Sequence, residues 1–173
     1  MVSGLPGTGK TEVAAAVAGR MNAVHLSIDP VQDAMLGAGL AKGWATGVAA
    51  YEAVRVMAQL NLHHGLSVVV DAVNDSEAAR DTWRNASQAT GCPVTFVLLT
   101  VPSPGEHRRR LESRERGLAN VPEPTWEQVL ARADAYEPWL GPCSVIDAGG
   151  PISDVVDQVL AVTNEAVPIA KIP

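Results

Sequence analysis

The chain has 173 residues, 47% of them hydrophobic and 4% aromatic, which suits one globular domain over residues 1–173 that buries most of its apolar surface. Nineteen acidic residues against 13 basic ones leave a net charge of -6, so the surface as a whole repels a polyanion and a long nucleic-acid partner is disfavoured. No apolar run approaches the roughly 18 residues of a membrane span and the first residues lack a leader pattern, so a cytoplasmic protein is expected. Cys92 and Cys143, far apart, form neither a zinc nor a disulfide framework and read as small buried hydrophobes.

Met1 to Ser3 supply a stub of strand before Gly4-Leu5-Pro6-Gly7-Thr8-Gly9-Lys10-Thr11, which matches GxxxxGK(S/T). Glycines at this spacing let the backbone curl until several N–H groups, those around Thr8 among them, converge on phosphate oxygens. Lys10 then reaches the outer phosphates and the Thr11 hydroxyl meets Mg²⁺. Val13, Val17 and Met21 recur at helical spacing and should face the core. Val24 to Ile28 alternates as a second strand and stops at Asp29-Pro30, where a helix through Val31, Met35 and Leu36 should begin. Leu36 to Ala50, rich in Gly and Ala around a lone Trp44, reads as a mobile cover. Tyr51, Val54, Ala58 and Leu62 restore helical spacing up to Gly65.

Leu66 to Val70 is an apolar run ending in Asp71, the pattern of a strand buried on both faces of a parallel sheet. Asp75 or Ser76 should cap a helix reaching Gly91, and Pro93 to Val101 gives a further strand. Ser103-Pro104-Gly105-Glu106 forms a capping box, which predicts a helix from Glu106 to Arg116 that ends at Gly117 and carries five of the ten arginines. Thr125-Trp126-Glu127-Gln128 is a second capping box, opening a helix towards Tyr136 that Pro138 ends. Cys143 to Asp147 is the last strand, followed by Gly149-Gly150 and a helix burying Val155, Val156, Val159 and Leu160; the tail from Pro168 to Pro173 reads as loose.

Strands alternating with helices mean parallel pairing, with ligands bound at the strands' C-terminal edge. The cradle, Asp29 and Asp71 each follow a strand, so all three arrive there. Phosphoryl transfer needs a metal holder, a group that receives the attacking hydroxyl's proton, and cations over the transferred group. Asp71 is the candidate metal holder and Asp29 the candidate base, although Asp29-Pro30-Val31-Gln32 also reads as a capping box that would tie the carboxylate to backbone N–H groups. Arg110 and Arg114, spaced i, i+4 on one helix face, are the candidate cations; Arg108, Arg109 and Arg116 should point elsewhere. The four histidines show no metal spacing and read as structural or surface groups. Trp44 and Tyr51 are candidates for a pocket wall, with core positions the commoner outcome.

Gly4 to Thr11, Asp29 after the second strand, Val68-Val69-Val70-Asp71-Ala72-Val73-Asn74, and Arg110 with Arg114 before Gly117 together resemble a P-loop kinase group. That group includes the kinase domain of polynucleotide kinases, chloramphenicol phosphotransferase, zeta-type toxins and many uncharacterised bacterial small-molecule kinases. Two departures stand out: Val73 replaces the threonine of the group's D-x-T-N, and Gln32 stands where polynucleotide kinases carry arginine. The resemblance implies a three-layer α/β P-loop fold, with a parallel sheet of about five strands in the order 2-3-1-4-5 and helices on both faces. A lid at about residues 105–125 would close over ATP, with the Ala148-Gly149-Gly150 turn near the adenine. The expected activity is ATP-dependent phosphorylation of a small-molecule hydroxyl on a sugar, nucleoside or antibiotic. In it Gly4, Gly7, Thr8, Gly9, Lys10 and Thr11 hold ATP, Thr11 and Asp71 hold Mg²⁺, Asp29 acts as base, and Lys10, Arg110 and Arg114 stabilise charge. A polynucleotide 5′-hydroxyl kinase and a nucleotide-dependent switch acting on a protein partner are the alternatives.

Overall fold

In the computed structural model, which describes residues 1–166, three residues suffice for the central strand because both its edges are paired. β1 (Val2–Gly4) sits with Val2 opposite Asp71 on one side and Val97 on the other. Those partners belong to β3 (Val68–Ala72) and β4 (Val97–Thr100); β2 (Val24–Ser27) pairs with β3, and β5 (Ser144–Asp147) with β4. Every pairing is parallel and the order is β2-β3-β1-β4-β5, as the resemblance implies.

Alternation along the strands divides the core into two layers. On one face Val2, Val69, Val97 and Ile146 meet Val13, Ala14 and Val17 of α1 (Lys10–Met21) and Val155, Val156 and Val159 of α7 (Ile152–Ala166). On the other, Val70 and Ala72 pack with Ile28 of α2 (Ile28–Gly37), Ala50, Val54 and Ala58 of α3 (Trp44–His63), and Trp83 of α4 (Glu77–Thr90). Each fully buried valine contributes about 1.5–3 kcal/mol by leaving water. After β4 come α5 (Pro104–Ser113) and α6 (Trp126–Asp134), with α6 opened by the expected Thr125–Gln128 capping box. Only half of the earlier box forms. Ser103 accepts from the Glu106 N–H, while the Glu106 carboxylate is taken by Arg109 and Arg110.

Several boundaries differ from expectation for local reasons. Met21 is 38% exposed, because α1 ends there and Asn22 turns away in a left-handed conformation. α3 begins at Trp44, so most of Leu36 to Ala50 is helix, and Trp44 is 84% exposed, belonging neither to the core nor to a pocket wall. Tyr51 is half-buried, and its hydroxyl accepts the Asn74 N–H. Both cysteines are half-buried. Leu66 and Ser67 precede β3, and β4 starts only at Val97. The tail from Pro168 lies outside the described residues.

A buried polar bolt holds the β3–α4 connection. Arg80 is fully buried, donating to the carbonyls of Asn74 (3.0 Å), Glu137 (2.6 Å) and Pro138 (2.8 Å) and to the Glu77 carboxylate, with its guanidinium 4.1 Å from the Trp139 ring centre. Asn74, left-handed at φ 54, donates to Ser3 Oγ and accepts from Trp83 Nε1. The bolt thereby reaches the strand that delivers the cradle.

Candidate functional site

The loop from Gly4 to Lys10 curls back on itself: Thr8 donates both its N–H and its hydroxyl to the Leu5 carbonyl. Gly9, at φ 82, is the N-cap of α1 and supplies no side chain to it, so the first N–H groups of that helix are left for an anion. Gly7 is required for a different reason. At φ 90, a Cβ there would lie 3.1 Å from His107 Cδ2 and 3.2 Å from Leu111 Cβ, because α5 packs directly on the loop. His107 is buried against the edge of Trp126 and donates Nε2–H to the Pro6 carbonyl at 2.8 Å, so the histidine expected to be structural braces the cradle from outside.

Lys10 is only 4% exposed. Burial pulls its ammonium below the ordinary lysine value, opposed by the charges of Asp29 and Asp71. Asp71, 2% exposed, gathers three donors: Thr11 Oγ1 to Oδ2 at 2.8 Å, Ser27 Oγ to Oδ2 at 3.2 Å, and His25 Nε2–H to Oδ1 at 2.7 Å. Because Thr11 gives its proton to Asp71, its oxygen lone pairs are free for a cation. Among the described residues there is no cluster of three or more acidic, His or Cys side chains, so a cation here would complete its shell with phosphate oxygens and water. The donor set fits Mg²⁺ beside a polyphosphate.

Asp29 is not a helix cap. α2 starts at Ile28 after Ser27, which places Asp29 inside the first turn; Ser27 gives its hydroxyl to Asp71, and α2 has no side-chain cap. Asp29 Oδ2 instead accepts from Arg116 Nη1 at 2.8 Å. That arginine was expected to point away, and the reason it does not is that α5 stops at Ser113. Arg114 is extended, and both arginines converge on Glu123, one on each carboxylate oxygen. Arg110 and Arg114 therefore do not share a helix face. Arg110 is held by Glu106 and by the carbonyls of Ala148 (2.6 Å) and Gly149 (3.2 Å), bracing the β5–α7 turn. Burial lowers the Arg114 guanidinium from its ordinary value.

These groups border one cleft of about 640 Å³, within the range of small-molecule sites. Gly7, Gly9, Lys10 and Thr11 line it together with Asp29, Arg114 and Arg116. Arg110 and Ile152 also border it, next to the Ala148-Gly149-Gly150 turn. Asp33, one helical turn after Asp29, accepts the N–H groups of Asn120 (2.6 Å) and Val121 (2.8 Å), fastening the loop after α5 to α2. His25, Arg116 and Asp33 escaped the sequence reading. Their only signals were the two-residue offset of His25 from Ser27 and the four-residue offset of Asp33 from Asp29.

Among the described residues no helix is long and apolar enough to cross a membrane. The sequence model of a family described as an AAA domain matches residues 1–136. No curated protein matches. Solved structures similar in fold include a sugar kinase from Janibacter sp. HTCC2649 at 18% identity, covering 94% of this chain and 92% of that one with a TM-score of 0.72. The APS kinase CysC of Mycobacterium tuberculosis, in complex with AMPPNP and APS, is 19% identical and covers 94% and 95% at 0.70. A gluconokinase from Sinorhizobium meliloti 1021 is 20% identical and covers 95% and 91% at 0.69. At these identities the likeness is one of fold, that of P-loop kinases.

Proposed function

The chain belongs to the AAA domain family, and from that premise and the chemistry of the cleft we propose that it is an ATP-dependent kinase acting on a hydroxyl of a small molecule. The observation that carries the reading is that one cleft is lined both by the Gly7–Thr11 loop with its buried lysine and by a carboxylate, Asp29, held by an arginine. A binding loop alone would serve a switch equally well. Asp29 adds a carboxylate that, in this reading, receives a proton. The fold likeness to a sugar kinase, a gluconokinase and an APS kinase supports the same class.

In this reading the acceptor oxygen bonds to the γ-phosphorus of ATP, the bond from that phosphorus to the β–γ bridging oxygen breaks, and ADP departs. The acceptor's proton passes to Asp29. Arg116 engages Oδ2, and Oδ1, which takes no hydrogen bond among the described residues, faces the task of accepting it. Lys10 and the N–H groups at the start of α1 hold the phosphates in line, while Arg114 and Arg116, exchanging Glu123 for phosphate oxygens, balance the charge that develops. Thr11 and Asp71 are the residues that would hold Mg²⁺, which when bound neutralises phosphate charge.

The test is a screen of sugars, nucleosides, hydroxy acids and hydroxylated antibiotics for ADP release together with phosphorylated product, with Lys10→Ala as the blank. Once an acceptor is found, Asp29→Ala should lower transfer by at least about 100-fold while ATP affinity stays within a few-fold, as for a group acting in the transition state. Transfer that survives this change undamaged would remove Asp29 from the mechanism.

A further inference from the structure

We propose that His25 is a positioning residue for the cation site: by donating Nε2–H to Asp71 Oδ1 it fixes the plane of that carboxylate, and so fixes how Asp71 presents the Thr11 hydroxyl to the cleft. The inference rests on the reading above only in requiring that a divalent cation accompanies a bound nucleotide.

The geometry follows from strand register. β2 and β3 pair in parallel with His25 opposite Val69 and Ser27 opposite Asp71. Residues two apart on a strand share a face, so His25 and Ser27 both project to the side on which Asp71 emerges, and α1 brings Thr11 to the same place. The two oxygens of Asp71 are not equivalent. Oδ2 is shared by Thr11 and Ser27, both hydroxyls on rotatable C–O bonds, whereas among the described residues the imidazole is the one partner of Oδ1 and makes the shortest of the three bonds at 2.7 Å.

The torsion that orients a carboxylate plane is broad and roughly two-fold, so hydroxyls on one oxygen leave it loose. A planar ring donor on the other oxygen closes that freedom. With the plane fixed, Oδ2 stays on the Thr11 proton and the lone pairs of Thr11 stay turned into the cleft that this residue borders. Groups that hydrogen-bond to ligating residues from behind typically change metal affinity by about 10–100-fold when removed. Asp71 is only 2% exposed, so water has little room to take over the donor's place.

The experiment uses the full chain with AMPPNP and Mn²⁺ in place of Mg²⁺, counting free Mn²⁺ by electron paramagnetic resonance. It compares wild type with His25→Gln, whose amide nitrogen reaches a similar position, and with His25→Leu, which fills space without a donor. His25→Leu should weaken Mn²⁺ about 10–100-fold while AMPPNP affinity in EDTA is unchanged, and His25→Gln should stay within about threefold of wild type. Equal affinity in His25→Leu, or a His25→Gln as weak as His25→Leu, would overturn the role. A second measurement needs no variant: adding Mg²⁺ to the wild-type AMPPNP complex should shift the ¹⁵N signal of the His25 Nε2–H, and an unmoved signal refutes the proposal. A wild type that shows this dependence on His25 yet phosphorylates no hydroxyl would support the positioning role while sinking the kinase reading.

Discussion

Replacing Arg80 by methionine isolates what the buried bolt contributes, because methionine occupies much of the arginine stem's volume and leaves little cavity. What disappears is the fork of donors. The carbonyls of Asn74, Glu137 and Pro138 lose their side-chain partner, and Trp139 loses the cation over its ring. Glu77 is affected less, since Arg84 still holds it at 2.7 Å. Removing one partner of a buried, charge-assisted network costs about 3–5 kcal/mol. For a chain of this length that corresponds to roughly 6–20 °C in Tm, at about 2–4 °C per kcal/mol. Urea unfolding of wild type, Arg80→Met, Glu77→Gln and the double variant measures both the loss and the coupling. The pair should couple by about 1–2 kcal/mol, because either single change already removes the hydrogen-bonded ion pair the two groups share. Arg80→Lys should recover only part of the loss, since an ammonium cannot reach three carbonyls in a plane. If Arg80→Met falls within about 1 kcal/mol of wild type, the bolt is not a source of stability and the argument fails.

Glu77 also makes stability depend on acid. Hydrogen bonds, first from Arg84 and then from Arg80, hold its carboxyl down at about 2, below the ordinary value of 4.5. Its contribution is therefore complete above pH 4.5 and is lost as pH falls towards 2, so wild type should lose stability more steeply than Glu77→Gln across that window. Parallel curves would contradict this. On α2, the Asp33 carboxyl is held below its usual range by the N–H groups of Asn120 and Val121, so Asp33→Ala should speed exchange of those two amides about tenfold, with the amides of α1 unaffected. Hydrogen exchange read by mass spectrometry decides it, and unchanged rates would mean that the Asp33 carboxylate does not hold the loop.

The architecture was legible wherever chemistry is local. Alternation, glycines at turns and the Thr125 box place most elements, and the cradle with Asp71 follows from its motif. Long-range partnerships were not. Arg80 looks like any polar residue of an amphipathic helix, and only the approach of Glu137 and Pro138, more than fifty residues on, makes burial its stable state. The end of α5 misled for a related reason. Nothing within Glu106 to Arg116 disfavours helix, but Glu123 offers Arg114 and Arg116 a shared carboxylate that a continued helix would withhold. Asp29, the candidate base, also read as a cap because Asp-Pro so often is one, while the cap position in fact lies two residues earlier, at Ser27, whose hydroxyl is already committed to Asp71.

The hold of α5 on its surroundings limits how the cleft can close. His107 ties that helix to Pro6, and Arg110 ties it to the turn after β5, so swinging it would unseat the cradle and that turn together. In the kinase proposed above, any closure over the nucleotide would be left to residues 114–124, between the end of α5 and the capped start of α6. A strap of that size relaxes as a loop, over nanoseconds to microseconds, rather than as a hinged domain over microseconds to milliseconds. The pace of turnover would then lie with bond-making or product departure, and ligand traffic would pass under the strap without waiting for the rest of the molecule to move.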